Sequence, residues 1–355
     1  GMDVIRLDIG NPDLPPPDEV IDALCQSAHE RDHHGYPGYR GLPVLRNAIA
    51  EYYARRFNVT LDVESELVPL IGSKEGIVNL ALACLDRGDI VLVPDPGYAP
   101  YTMGANLAGA QVYTLPLLPE RGFKPDLDAI PKSVADKAVL MWLNYPNNPT
   151  GATADLDFLA RAVALARRHD ILLCHDAPYC DVTYDGYVAP SILQVPGAQD
   201  VAIEFNSLSK TWNMAGWRVG MAVGNADALA ALSHLKSNFD SGFFRPLQDA
   251  ASRALALDPK WVAARNDIFR ERQLMVLNTL AAVGIEVPQP SATLYLWIRI
   301  PDTPTQVLGE AVGTKSQTEI ESPSESFALA LLQATGVAVA PGSFFGPGGE
   351  GYVRI

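Results

Sequence analysis

Basic residues, cysteines and long apolar runs are all scarce in this sequence, and each shortage excludes something. Lys and Arg number 27 against 41 Asp and Glu in 355 residues, a net charge of -14. A nucleic-acid binder needs a basic face, so that class is set aside. An anionic small molecule stays open as a ligand, because a few local Arg and Lys residues can make a positive pocket on an acidic body. No apolar run reaches the length that crosses a bilayer, so no membrane partner is expected. The opening Gly1-Met2-Asp3 has no basic stretch followed by an apolar one, and no secretory signal is expected. Cys25, Cys84, Cys174 and Cys180 show no paired spacing, which predicts reduced thiols in a cytoplasmic protein.

What is present is a core-forming composition, 48% hydrophobic and 19% charged. Strand-like runs alternate with helical patterns through the middle of the chain. Strands are expected at Val68–Ile71, Ile90–Val93, Gln111–Leu115, Ala138–Leu143, Ile171–Cys174, Val201–Phe205 and Val219–Val223. Lys74–Leu85 reads as a helix, and Leu156, Leu159, Val163 and Ala166 fall at helical spacing. This alternation predicts an α/β fold with a mainly parallel sheet covered by helices. After residue 256 the pattern changes to a long helix Trp261–Val283, a strand Thr293–Ile300, a helix Glu325–Thr335 and a strand Val337–Ala340. A large domain over 35–255 is expected, with a small α+β domain from 1–34 and 256–355. The polar stretch 303–324 reads as a mobile loop.

The most informative stretch is Ser207-Leu-Ser-Lys210-Thr-Trp-Asn-Met-Ala-Gly-Trp-Arg218. Lys210 follows an apolar strand and sits among small and aromatic residues. Desolvation there lowers an amine's pKa and frees it for Schiff-base chemistry. Ser207, Ser209 and Arg218 can converge on a phosphate. Taken alone, the same stretch could be a surface loop with an ordinary lysine. Upstream, Asp176 in Cys174-His-Asp-Ala-Pro-Tyr179 lies just past a strand end, where open α/β sheets place ligands. A carboxylate there can keep a pyridine nitrogen protonated, or can simply cap a turn. Asn144-Tyr-Pro-Asn-Asn148-Pro-Thr-Gly151 also follows a strand, and Asn148 can offer its amide to a ring oxygen. Gly72-Ser73-Lys74 opens a helix whose first N–H groups suit an anion. Pro94-Asp-Pro-Gly-Tyr98 offers an aromatic face for a planar ring.

Two further patterns are decoys. His29-Glu-Arg-Asp-His33 fits the zinc-protease spacing, but it falls at a helix end with no third ligand evident, so no metal is expected. Gly346-Pro-Gly-Gly-Glu-Gly351 fits a dinucleotide fingerprint, but no helix can follow it in the residues that remain.

In this order and spacing, the five stretches resemble the class I/II aminotransferases, pyridoxal-phosphate enzymes of fold type I. The resemblance spans essentially the whole chain. It implies that Lys210 carries the cofactor and that Asp176 faces the pyridine nitrogen. Tyr179 and Asn148 would bond the ring hydroxyl, and Tyr98 would stack on the ring. Ser207, Ser209, Arg218 and the amides of Ser73 and Lys74 would cup the phosphate. Tyr36, in Tyr36-Pro-Gly-Tyr-Arg-Gly41, matches a tyrosine that reaches the phosphate of a neighbouring subunit, which implies a homodimer with shared sites. Arg354 and Gly10 match the groups beside the substrate α-carboxylate, and an amino acid and a 2-oxo acid would be the substrates. Family members usually carry a helix before the Asp8-Ile-Gly10 strand and another after the Arg354 strand, and this chain starts and stops near those strands. Within the family, Leu143–Gly151, Asp185–Pro190 and Leu235–Gly242 are most similar to the LL-diaminopimelate aminotransferases. Aspartate or alanine aminotransferase, a carbon–sulfur β-lyase and a non-catalytic cofactor-binding sensor are the alternatives.

Overall fold

A computed structural model of the chain describes residues 3–301 and 322–355. The N-terminal part holds strand β1 (Ile5–Arg6) and helices α1 (Asp18–His29) and α2 (Pro43–Phe57). The α/β core follows as β2 (Leu67–Leu70), α3 (Ser73–Cys84), β3 (Ile90–Asp95), α4 (Pro100–Ala108) and β4 (Gln111–Pro116). It continues with α5 (Lys132–Ala135), β5 (Ala138–Asn144), α6 (Leu156–His169), β6 (Leu172–Asp176) and β7 (Ala202–Ser207). Then come α7 (Leu208–Thr211), β8 (Gly220–Gly224), α8 (Ala226–Lys236), α9 (Arg245–Leu255) and α10 (Lys260–Ala282). The C-terminal part holds β9 (Trp297–Arg299), α11 (Pro323–Thr335), β10 (Val337–Ala338), β11 (Ala340–Pro341) and β12 (Tyr352–Arg354).

Seven strands form the central sheet in the order β2-β8-β7-β6-β5-β3-β4. Neighbours from β4 to β7 run parallel, whereas β8 is antiparallel to both β7 and β2. The inner strands read as near-continuous apolar runs because helices cover both faces. Helix α6 shows how the sequence makes that cover. Asp155 accepts a hydrogen bond from the Phe158 N–H, and the buried stripe Phe158, Leu159, Ala162, Val163 and Ala166 faces the core. Arg167, Arg168 and His169 close its last turn, where positive charge suits the helix dipole.

The C-terminal elements make a separate three-stranded antiparallel sheet, β11-β12-β9, and β1 pairs in parallel with β10. Leu296, Ile298, Val339 and Val353 form their own apolar cluster against α10. The strand expected at Thr293–Ile300 is confined to Trp297–Arg299. That expected at Val337–Ala340 divides between two sheets. Helix α1 packs on α9, and its Val20 shares a core cluster with Leu45 and Ile49 of α2 and Ala250 and Ala254 of α9. The loop expected at 303–324 lies outside the described residues except for its end, where Ser322 caps α11. Among the described residues, no helix is long and apolar enough to cross a membrane.

Candidate active site

Three adjacent parallel strands end side by side and deliver the floor of a site. Asn144 closes β5, Asp176 closes β6 beside it, and Ser207 closes β7. Asp176 is buried, and Tyr101 donates a hydrogen bond of 2.6 Å to its Oδ2. Its Oδ1 is buried without a hydrogen-bond partner among the described residues. Burial pushes the Asp176 carboxyl up to about 6, and the Tyr101 hydrogen bond pulls the other way. Asn144 donates from Nδ2 to the Asp176 carbonyl at 2.7 Å and accepts from the Asn148 N–H at 2.8 Å. One side chain thus fixes both the strand end and the following turn.

Lys210 stands on α7, a single turn capped by the Ser207 side chain, which accepts from the Ser209 N–H. Its amine donates to the Gly10 carbonyl. Burial, then the positive Arg354 and Arg218, bring the Lys210 amine down to about 8. Its backbone carbonyl is held by Arg265, which reaches in from α10. Nearby, Arg218 adopts a left-handed φ of 58° and donates to the Ala215 carbonyl at 2.9 Å. A Cβ added to Gly72 would lie 2.1 Å from Arg218 Nη2, and one added to Gly220 would lie 2.6 Å from the Ser73 nitrogen. The guanidinium, the start of α3 and the Ser207 and Ser209 hydroxyls, 2.9 Å apart, therefore converge. The N–H groups of a helix's first turn have no helical carbonyl to bond, so this corner is made for an anion. Lys74 Nζ lies 5.5 Å from the centre of the Tyr98 ring, which meets Tyr101 edge-on at 5.7 Å.

The opposite side is built around Arg354, buried at the end of β12 between the rings of Tyr295 and Phe345, 4.1 and 4.7 Å from their centres. Its Nη1 donates to Asn148 Oδ1 at 2.6 Å and its Nη2 to the Asp8 carbonyl at 3.0 Å. Its Nε has no partner among the described residues. The Tyr179 and Tyr295 hydroxyls are 2.7 Å apart. Gly10 approaches so closely that a Cβ there would lie 2.1 Å from the Tyr295 hydroxyl. This side is latched to the sheet. Asp95 accepts from the Gly348 N–H at 2.9 and 3.0 Å, and the Gly97 N–H donates to the Phe345 carbonyl at 2.7 Å.

The expected residues thus gather in one place, except Tyr36, which is 91% exposed on the outside of its own chain. Tyr101, Tyr295, Phe345, Asn144 and Arg265 belong to the site or its supports and were not singled out from the sequence. Asn144 and Tyr101 carried usable signals, the first as the polar residue that closes an apolar run and the second by standing three residues after Tyr98, whose carbonyl accepts from its N–H at 3.1 Å. Of the decoys, His29 is the last residue of α1, so the two histidines do not share a helix face, and His33 instead bonds Ser27 at 2.8 Å. Gly346–Gly351 forms short turns with no following helix.

Residues 2–355 match the family model for aminotransferase class I and II. The chain belongs to that family and is an α/β aminotransferase with the family's fold. It is 46% identical to the LL-diaminopimelate aminotransferase of Moorella thermoacetica over 100% of this chain and 86% of that protein. With the same-named protein of Dehalococcoides mccartyi (strain ATCC BAA-2266) it shares 45% identity over 100% of this chain and 87% of the other. Among solved structures, substrate-bound BacF from Bacillus subtilis superposes with a TM-score of 0.92 at 39% identity, covering 99% of this chain and 85% of that one. The probable N-succinyldiaminopimelate aminotransferase of Thermus thermophilus gives a TM-score of 0.89 at 36% identity, covering 100% and 90%.

Proposed function

We propose that the chain is a pyridoxal-phosphate aminotransferase acting on LL-diaminopimelate with a 2-oxo acid as partner, and that Lys210 is its cofactor lysine. The observation that supports it most is a buried amine of lowered pKa in the same site as a buried carboxylate whose Oδ1 has no partner among the described residues. Pyridoxal phosphate fits these groups: a protonated pyridine nitrogen to donate to Asp176 Oδ1, a phosphate to accept at the Arg218, Ser73, Lys74, Ser207 and Ser209 corner, and a flat ring for Tyr98. When bound, it supplies an electron sink for the pair released at the substrate's α-carbon.

The chain's own groups do the rest. Near pH 8 the Lys210 amine is divided between its neutral and charged forms, so it can take a proton from the α-carbon and return it elsewhere. Asn148 gives its Oδ1 to Arg354 and keeps its amide N–H groups to donate to the ring oxygen, beside the Tyr179 hydroxyl. Arg354 is pinned through one N–H of each terminal nitrogen, which leaves Nε and the second N–H groups for the substrate carboxylate. Gly10 lets its backbone pack directly against Tyr295, where a Cβ would lie 2.1 Å from the hydroxyl, and so stands beside Arg354 at the carboxylate's end of the site. The preference for a long substrate with a second polar end draws on the named relatives and on the small and polar stretch Lys236–Gly242.

Three further parts belong to this reading. Exposed Tyr36 serves the site of a second copy in a homodimer. The enzyme works in the cytoplasm. The chain divides into a large unit and a small one, with the first boundary drawn ahead of α1, because that helix packs on α9.

Mixing the loaded enzyme with single amino acids and following its absorbance gives the half-reaction directly. Comparing kcat/KM for LL-diaminopimelate, glutamate, aspartate and alanine tests the substrate. A preference for alanine or aspartate would overturn the substrate assignment and leave the aminotransferase intact. Pyruvate and ammonia released without an oxo acid would indicate a carbon–sulfur β-lyase.

A further inference from the structure

Among the described residues the Asp176 carboxylate has one donor, and that donor is itself held from two sides. Tyr101 stands in the first turn of α4 and is fully buried. Its ring lies flat on Trp142 of β5, with centres 4.8 Å apart and planes 12° apart, and Tyr98 meets it edge-on at 81°. Stacking on one face and an edge contact on another leave the hydroxyl a single direction, and it ends 2.6 Å from Asp176 Oδ2. His175, the residue before Asp176 on β6, turns to the opposite face of the strand and bonds Glu204 at 2.9 Å.

We infer that Tyr101 is a positioning residue for the reaction: its hydroxyl holds Asp176 ionised and turns the carboxylate's free oxygen towards the cofactor's ring nitrogen. The inference rests on Asp176 being the partner of that nitrogen. A buried carboxylate without a donor is a stronger base than a hydrogen-bonded one. Left alone, Asp176 would draw the shared proton off the ring nitrogen, and the ring would lose the charge that makes it an electron sink. Tyr101 prevents this because burial keeps its own phenol protonated, and so a donor, throughout the working range of pH. Its contact with Tyr98 ties the residue over the ring to the residue at the ring's nitrogen, through a single side chain.

The test uses the full-length enzyme loaded with cofactor, with Tyr101→Phe made in the parent and in Asp176→Asn. Phe keeps the stack on Trp142 and deletes only the hydroxyl. Two quantities are read: kcat, and the NMR shift of a nitrogen-labelled cofactor ring, which reports directly whether that nitrogen carries a proton. In the parent, Tyr101→Phe should lower kcat about tenfold or more, the scale of a lost hydrogen bond to a charged group, and move the ring-nitrogen signal towards its unprotonated position. In Asp176→Asn the same change should do neither, because no carboxylate remains to be tuned. Tyr101→Leu, which also loses the stack, should melt at a lower temperature than Tyr101→Phe yet shift the nitrogen signal equally. If Asp176→Asn moves the signal and Tyr101→Phe does not, Tyr101 is only packing and the inference falls while the role of Asp176 stands. If Asp176→Asn leaves the signal unmoved, both fall together.

Discussion

The floor of the site and its rim are built in different ways. The floor is the row of strand ends carrying Asn144, Asp176 and Ser207, buried in the middle of a seven-stranded sheet. The rim that carries Gly10 and Arg354 hangs on strands of two and three residues, and Ile5 and Ile9 along it are each 58% exposed. Electrostatic preorganisation asks for groups that do not move when charge develops, and a sheet core supplies them. The rim is built from short strands instead, and it is joined to the sheet through the Asp95–Gly348 and Gly97–Phe345 contacts. Arg354 joins the two, since one of its hydrogen bonds reaches the floor at Asn148 and the other the rim at Asp8.

Changes to the floor should cost turnover, and the largest cost is at Lys210. Lys210→Ala is expected to lower kcat at least about a thousandfold, the upper part of what a positioned acid–base contributes. Borohydride reduction of the loaded parent and peptide mapping should label Lys210, and a label on Lys74 or Lys236 would misplace the whole floor. Asp176→Ala should keep the cofactor through the phosphate corner while kcat drops about a hundredfold, in line with losing one preorganised electrostatic partner. Full activity in that variant would break the contrast at its centre.

At the rim the expected effect moves from kcat to KM. Arg354→Lys, which loses the planar fork, should raise KM for amino acids about tenfold or more with a smaller change in kcat. A loss confined to kcat would mean that this wall acts only in the transition state.

Tyr36 sharpens the comparison by asking whose site it completes. Mixed one to one, Tyr36→Phe and Lys210→Ala proteins should recover up to about a quarter of the parent's sites, because half of the dimers are hybrids and each hybrid has one site free of both lesions. No recovery would place Tyr36 in its own subunit's site.

The smallest effect is on stability. The Lys210 amine titrates near 8 in the folded cofactor-free protein and near 10.5 when unfolded. Across that window the unfolded chain binds a proton that the folded chain does not, so the Lys210 contribution improves as pH rises. Below it the buried amine is a full cost. Cofactor-free Lys210→Met should therefore melt above the parent at pH 7, by a margin that shrinks as pH climbs past 8. An unchanging margin would mean that the amine is not desolvated.

How much of this was legible beforehand divides along the same line. The strands of the floor announce themselves as apolar runs followed by Asn, Asp or Ser, and Lys210, Asp176 and Asn148 could be picked out because each sits just past such a run. The antiparallel setting of β8 could not, since direction leaves no mark on a strand buried on both faces. Tyr295 and Phe345 carry no mark in the sequence because the partners that define them, Arg354 for both and Tyr179 and Gly10 for Tyr295, are met only on folding. The rim strands are too short for periodicity to register, which is why Val337–Ala340 looked like one strand and serves two sheets.

The contact between Asp95 and the glycine-rich turn bears on any attempt to redesign substrate choice. A methyl group at Gly346 would stand 2.4 Å from Asp95 Oδ1, and one at Gly348 would stand 2.9 Å from the Asp95 carbonyl. Residues 95–98 and 345–351 therefore form one exchangeable cassette, although residues 99–344 lie between them. Grafting in a second segment that lacks these glycines, with Asp95 kept, would trade a matched joint for a collision close to the guanidinium that must meet the new substrate.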